Sequence, residues 1–282
     1  MKKIMNWVLA AILVCGASVF MACTIDNADN PVKLVGIAID ETNFPDAAFR
    51  QCLFDYYKFA KDGILTDEEI KNTTTLDVSL YNVESLKGIE YFSALEELDC
   101  CGNYLTELDL KMNTKLHYLD CSYNELTMLN ISNNQLLDTL YCNDNELTEL
   151  DVTKNTALVQ LDFDRNQITS IDISKNIWLE ELYCAGNGLT KLDVSTNQAL
   201  EMIQCYNNKI SGQNMDNLIG SLPLNDTPTF FEFAVIDYSM GVEKEGNVCT
   251  KSQVEALKAK GWLAQQWDDD EEEWVEYPGS DN

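Results

Sequence analysis

Five of the ten cysteines, Cys100, Cys121, Cys142, Cys184 and Cys205, fall 21 residues or a multiple of 21 apart. Thiols can bridge, ligate a metal or act as nucleophiles. The spacing argues against the first two. No C-x-x-C pair is present, and Phe163 occupies the place where a sixth ladder cysteine would stand. Side chains in register on parallel strands point the same way, which disfavours bridging. What is left is a column of small buried hydrophobes. Cys101 departs from the pattern. It lies one residue past an inward cysteine, so it faces outward and is the candidate reactive thiol.

Other chemistry is sparse. His117 is the sole histidine, and there is no Gly-rich phosphate loop or G-x-S-x-G elbow. Carboxylates are abundant, 47 acids against 19 bases, for a net charge of −28. That balance excludes a nucleic-acid binder and electrostatic docking on anionic lipid. Stacked acids could form a hydrolytic pair, but acids this numerous pair by chance. The segment Lys58 to Glu69 resembles a calcium-binding EF-hand loop, with Gly63 sixth and Glu69 twelfth. Lys58 and Ala60 fill positions that need oxygen ligands, so the segment is read as a packing element without calcium. The acidic run 268–273 is read as a solvated hairpin tip. No metal or cofactor is expected.

The N-terminus carries targeting chemistry. Lys2 and Lys3 precede an uncharged, apolar stretch from Trp7 to Ala22, followed by Cys23 and a polar segment. This is similar to a bacterial lipoprotein signal, in which cleavage before the cysteine is coupled to its lipidation. Removing residues 1–22 would leave 17 bases against 47 acids, a net charge of −30.

The elements that position these residues follow from the columns. Units starting at Leu95, Leu116, Leu137, Leu158, Leu179 and Leu200 share a second apolar residue three positions on, the cysteine or Phe163 five on, and Asn103, Asn124, Asn145, Asn166, Asn187 or Asn208 eight on. A second column, Asn113, Asn134, Asn155, Asn176 and Asn197, closes the first five units. The pattern L-x-x-L-x-C-x-x-N-x-L-T resembles the leucine-rich repeat, with internalin-like units. Residues two apart share one face of a strand. One unit cannot bury that face alone, whereas a stack can. An Asn amide both donates and accepts, so it can satisfy the backbone of a sharp turn in every unit.

Two flanking regions resemble caps. The stretches Glu41 to Asp46, Asp62 to Ile70 and Leu86 to Phe92 are similar to the N-terminal cap of bacterial surface leucine-rich-repeat proteins. Glu245 to Lys251, Lys260 to Trp262 and Trp274 to Tyr277 are similar to the C-terminal cap of leucine-rich-repeat lipoproteins from Bacteroidetes. The expected fold is an α/β leucine-rich-repeat solenoid with a parallel β-sheet on its concave face and an α/β cap at each end. The division is a signal at 1–22, a lipid-anchored linker at 23–32, an N-terminal cap at 33–72, repeats at 73–210 and a C-terminal cap at 211–282. Within the caps, Pro45 is expected near the first turn of a helix that Phe44, Pro45 and Asp46 open, and Thr66 with Glu69 in a capping box.

The regular columns are accounted for by folding, so function is sought among the irregular residues between them. The outward strand positions bring Asp99, Tyr118, Asp120, Tyr141, Asp162, Asp164, Tyr183 and Tyr206 to one face. Tyr gives rigid contact area at low entropic cost. The expected protein is a non-enzymatic module, lipid-anchored through Cys23 to the bacterial outer membrane at the cell surface. It would bind a protein, peptide or glycan on this face, as adhesion-type surface proteins do. The alternatives are a structural envelope protein without a dedicated ligand, and a hydrolase.

Overall fold

The structure is a computed structural model that describes residues 36–55, 63–227, 229, 231–237, 245–268 and 271–281. The expected signal, the lipidation site Cys23, the linker, and Lys58 and Ala60 of the EF-hand-like segment lie outside the described residues. No helix among the described residues is long and apolar enough to cross a membrane.

One ten-stranded sheet runs the length of the protein. Its strands are β3 (Thr75–Asp77), β4 (Glu97–Asp99), β5 (Tyr118–Asp120), β6 (Thr139–Tyr141), β7 (Gln160–Asp162), β8 (Glu181–Tyr183), β9 (Met202–Gln204), β10 (Phe231–Ile236), β11 (Trp262–Asp268) and β12 (Glu273–Glu276). All neighbours pair in parallel except β11 and β12, which are antiparallel. The register sets Leu76 beside Leu98, then Leu119, Leu140, Leu161, Leu182, Ile203 and Phe233. Every member of that column is fully buried, as are the five ladder cysteines and Phe163. Each buried leucine contributes about 2 kcal/mol of transfer free energy, which no isolated three-residue strand could collect.

The turn after each strand explains the first Asn column. Asn124 donates through Nδ2 to the carbonyls of Cys121 (3.1 Å), Ser122 (3.1 Å) and, one unit back, Cys100 (3.0 Å), while its Oδ1 accepts from Leu105 N (3.0 Å). Asn103, Asn145, Asn166, Asn187 and Asn208 repeat the arrangement. The residue before each Asn is left-handed: Gly102, Tyr123, Asp144, Arg165, Gly186 and Asn207 all have φ between 50° and 63°. A non-glycine residue pays about 1–2 kcal/mol for that conformation. The four bonds of the adjacent amide hold it there. In the second column Asn134 donates to Leu110 O (3.1 Å) and Asn113 O (2.8 Å), so each amide clips its loop to the preceding one.

At the N-terminal end β1 (Gly36–Ala38) pairs antiparallel with β2 (Ile64–Thr66), with helices α1 (Ala47–Asp55) and α2 (Asp67–Asn72). The Thr66–Glu69 capping box is formed. Helix α1 starts at Ala47, with Pro45 just before its first turn as expected. Asp46 sets that start: its Oδ1 accepts from Phe49 N (2.9 Å), and its Oδ2 accepts from Glu84 N (2.7 Å) and Ser85 N (3.0 Å). One carboxylate thereby caps the helix and fastens it to the first repeat.

At the other end α4 (Lys251–Ala259) packs on β11, and α3 (Gln213–Ser221) packs on α4. Thr250 and Gln253 form a second capping box. Trp262 is fully buried, donates Nε1 to Pro223 O (2.9 Å) and meets Phe231 and Phe233 edge-on at 5.3 and 6.4 Å. The cap also extends the Asn column. Asn247 donates to Cys205 O (2.7 Å) and Val235 O (3.1 Å), and accepts from Ile210 N (2.8 Å).

Candidate functional site

The strand register carries the outward residues as strictly as the inward ones. The central outward row reads Asp77, Asp99, Asp120, Tyr141, Asp162, Tyr183 and Gln204 from β3 to β9. The row on its N-terminal side reads Thr75, Glu97, Tyr118, Thr139, Gln160, Glu181 and Met202. Asp99, Tyr118, Asp120, Tyr141, Asp162, Asp164, Tyr183 and Tyr206 are all half-buried.

The tyrosines are held in place. Tyr118 and Tyr141 meet edge-on, with ring centroids 5.9 Å apart and planes at 83°. Tyr141 donates its hydroxyl to Gln160 Oε1 (2.8 Å), and Tyr183 donates to Glu181 Oε2 (2.8 Å). Tyr206 differs from the others, because it packs against Trp274 of β12 with centroids 5.3 Å apart. Trp274 meets Trp267 at 5.6 Å, so the end of the face carries an aromatic group that the repeat pattern does not contain.

The aspartates have a local duty as well. Asp99, Asp120 and Asp162 each accept, through Oδ1, the backbone N–H two residues on, at Cys101 (3.0 Å), Ser122 (2.9 Å) and Asp164 (2.9 Å). These Asx turns start the bend that the asparagine completes. Asp164 accepts from Ala185 N (2.5 Å) of the next unit. One oxygen of each is therefore structural, and sequence reasoning, which gave these acids wholly to a ligand, missed this role. A parallel set, Asp109, Asp151, Asp172 and Asp193, makes the same turn on the loops away from the strands. Part of the acidic composition is thus turn chemistry.

Burial shifts these groups, and the charge of Arg165 offsets it only in part at Asp162 and Asp164. Burial, followed by the charge of Asp162, holds the Asp164 carboxyl above the ordinary carboxylate range. Burial raises Asp162 and Asp120 in the same direction. Burial, then Asp120 and Asp99, push Tyr118 up to about 12. Arg165, at the left-handed turn position, lies 3.4 Å from Asp144.

The same field corrects the expectation for Cys101. Its thiol does lie half-buried on the outward side, but burial, a hydrogen bond with Asp99 and the charge of Asp120 push its pKa up to about 12. A reactive cysteine needs an electropositive setting that favours thiolate, and this one has the opposite. The donor atoms of Asp99, Cys101 and Asp120 lie within 4.8 Å of one another. All eight described cysteines are free, and Cys52 and Cys249 are buried with pKa values pushed up to about 12, chiefly by burial.

Short parallel strands, a buried Leu and Cys column and an Asn-locked turn define a leucine-rich-repeat solenoid of the internalin-like kind. No protein-family model matches the chain, and no curated protein matches it. Among solved structures it is similar to the functional domain of InlJ from Listeria monocytogenes, which includes a cysteine ladder. That likeness has 29% identity and a TM-score of 0.64, over 79% of this chain and 46% of that one. The chain therefore spans less than half the length of the InlJ domain. The internalin InlF from the same organism shares the fold at 21% identity and a TM-score of 0.56, over 82% of this chain and 73% of that one.

Proposed function

We propose that this protein is a non-enzymatic binding module that engages its partner through the strand face, in the manner of an adhesion-type surface protein. The observation that carries the reading is the set of fixed aromatics on that face. Tyr118, Tyr141 and Tyr183 stand half-exposed on a rigid sheet, with Tyr141 and Tyr183 oriented by their own hydroxyl bonds. Preorganised aromatics lose little entropy on binding, and they dominate the energetics of protein interfaces. The internalin-like fold supports a protein partner in general terms. A screen against extracellular proteins and glycans would supply the ligand. The Tyr141→Ala, Tyr183→Ala double variant is expected to bind it at least about tenfold more weakly, with an unchanged far-ultraviolet spectrum. Unaltered affinity would sink the assignment, and an empty screen would favour a purely structural envelope role.

The same reading places the protein on the cell surface, held to the outer membrane by lipid on Cys23, as in leucine-rich-repeat lipoproteins of Bacteroidetes. The support is the sequence of Lys2, Lys3, the apolar stretch to Ala22 and the polar segment that follows Cys23. Cys23→Ala is expected to move the protein from the membrane fraction to the soluble fraction. Retention in the membrane would refute the anchor.

A further inference from the structure

The strand positions of the face are charged in one sense only, with Arg165 acting on Asp162 and Asp164 from the turn after β7. Its outward positions from β3 to β9 carry Asp77, Glu97, Asp99, Asp120, Asp162 and Glu181, with no Lys or Arg. Among the described residues no cationic side chain lies within ion-pair distance of Asp99, Asp120, Asp162, Asp164 or Glu181. This is not simply the protein's general acidity. Lysines do occur on the loops away from the strands, as with Lys111 beside Asp109, and they are excluded from the face.

The first half of the face is the better formed. Oxygens of Asp99 and Asp120 lie within 4.8 Å of each other on adjacent strands. In each, the Asx turn occupies Oδ1; the Cys101 thiol also hydrogen-bonds the Asp99 carboxylate, and the Ser122 hydroxyl shares Asp120 Oδ1. Two residues before Asp120 on the same strand stands Tyr118, buttressed edge-on by Tyr141. Two carboxylates with oxygens within 4.8 Å of each other, one of them on a strand that also carries an aromatic ring, match the needs of an arginine side chain. Its planar fork bonds carboxylate oxygens, and its face stacks on a ring. A neutral sugar would leave these carboxylates without a counter-charge in a drier environment.

Resting on the strand-face reading above, we propose that the partner is a protein whose docking segment is basic, and that it seats an arginine on Asp99 and Asp120 against Tyr118. Charge complementarity selects this occupant over a glycan. Burial holds the Asp120 carboxyl above its ordinary range, and a bound guanidinium would offset that penalty. The face would also steer a basic partner toward itself, with an on-rate that falls as salt rises.

The test uses the full chain and two fluorescent probes, hexa-arginine and its neutral counterpart hexa-citrulline, followed by polarisation. Asp99→Asn with Asp120→Asn keeps an oxygen for each turn, as Asn130 already does for Ser132 N at 3.1 Å. Asp151→Asn with Asp172→Asn removes the same charge from the loops away from the strands. Hexa-arginine is expected to bind, with hexa-citrulline at least about tenfold weaker. The Asp99/Asp120 pair should weaken hexa-arginine at least about tenfold, and the loop pair less than about twofold. Equal losses in both pairs, no binding of hexa-arginine, or citrulline binding as well as arginine would each overturn the inference. If one of these occurs while a screened ligand still depends on Tyr141 and Tyr183, the inference fails and the strand-face reading stands. If that dependence is also missing, both fail.

Discussion

Replacing Asn145 with Ala is expected to destabilise the protein by about 3–5 kcal/mol, read as a fall in the urea midpoint. The amide makes four bonds, donating to Cys121 O (3.0 Å), Cys142 O (3.2 Å) and Asn143 O (3.2 Å) and accepting from Leu126 N (2.9 Å). Alanine fits the space but leaves those backbone groups buried and less well paired, at about 1–3 kcal/mol for each group that finds no partner. It also removes what holds Asp144 left-handed, at φ 51°. Asn145→Asp should cost more, because a carboxylate would point at three carbonyl oxygens in a buried site. Asn133 is exposed and makes one 3.3 Å bond to Lys111 O, so Asn133→Ala should change stability by less than about 0.5 kcal/mol. A loss below about 1 kcal/mol at Asn145 would show that the turn does not depend on its amide.

The second large effect runs against the repeat pattern. Phe163 stands where five other units have cysteine, and it is fully buried. Phe163→Cys makes the column uniform, and a reading by consensus would count the change as stabilising. Packing predicts a loss of about 2–4 kcal/mol, since the vacated ring volume is only partly reclaimed by a rigid stack. Phe163→Leu, which keeps most of the volume, should cost about half as much. Equilibrium unfolding of both variants decides the matter. A neutral or stabilising cysteine would show that the column coheres through its uniformity rather than through filled volume.

The repeat was legible because it is written in side chains whose chemistry is directional or apolar. Leu, Cys and Asn each recur at one offset, and the register of the sheet follows from that alone. The left-handed column was not legible. Gly102, Tyr123, Asp144, Arg165, Gly186 and Asn207 have no common chemistry, because the constraint falls on the backbone and is enforced by the next residue. Asn247 escaped notice for a different reason. In a regular unit the Asn follows its inward strand residue by three, but Val235 and Asn247 are separated by an insertion. The local run Asn247-Val248-Cys249, an asparagine two residues before a buried apolar side chain, was the available signal.

The placement of the residues on the strand face was legible, and their local duties were less so. Alternation along a strand puts Asp99, Tyr118, Asp120, Tyr141, Asp162 and Tyr183 on one face without a structure. That Asp99, Asp120 and Asp162 also begin turns could be read from the residue two positions on only in retrospect. Tyr206 lies beneath Trp274, because an antiparallel strand from the far end of the chain folds back beside it. Cys101 was placed correctly and its reactivity was not, since the electrostatic setting depends on acids from neighbouring units.

The identical register of both Asn columns from unit to unit has a consequence for heredity. Each of the first five units begins and ends at the same point of the same turn, so an unequal exchange between two of their copies within the gene deletes or duplicates a whole unit in frame. The new junction inherits an amide that reaches the carbonyls of whichever unit now precedes it. Such an exchange lengthens or shortens the outward face in steps of about 4.8 Å, and the caps at either end are left as they were. A lineage could therefore fit the span of this surface to a changed partner by recombination alone, and alter its chemistry afterwards by point mutation.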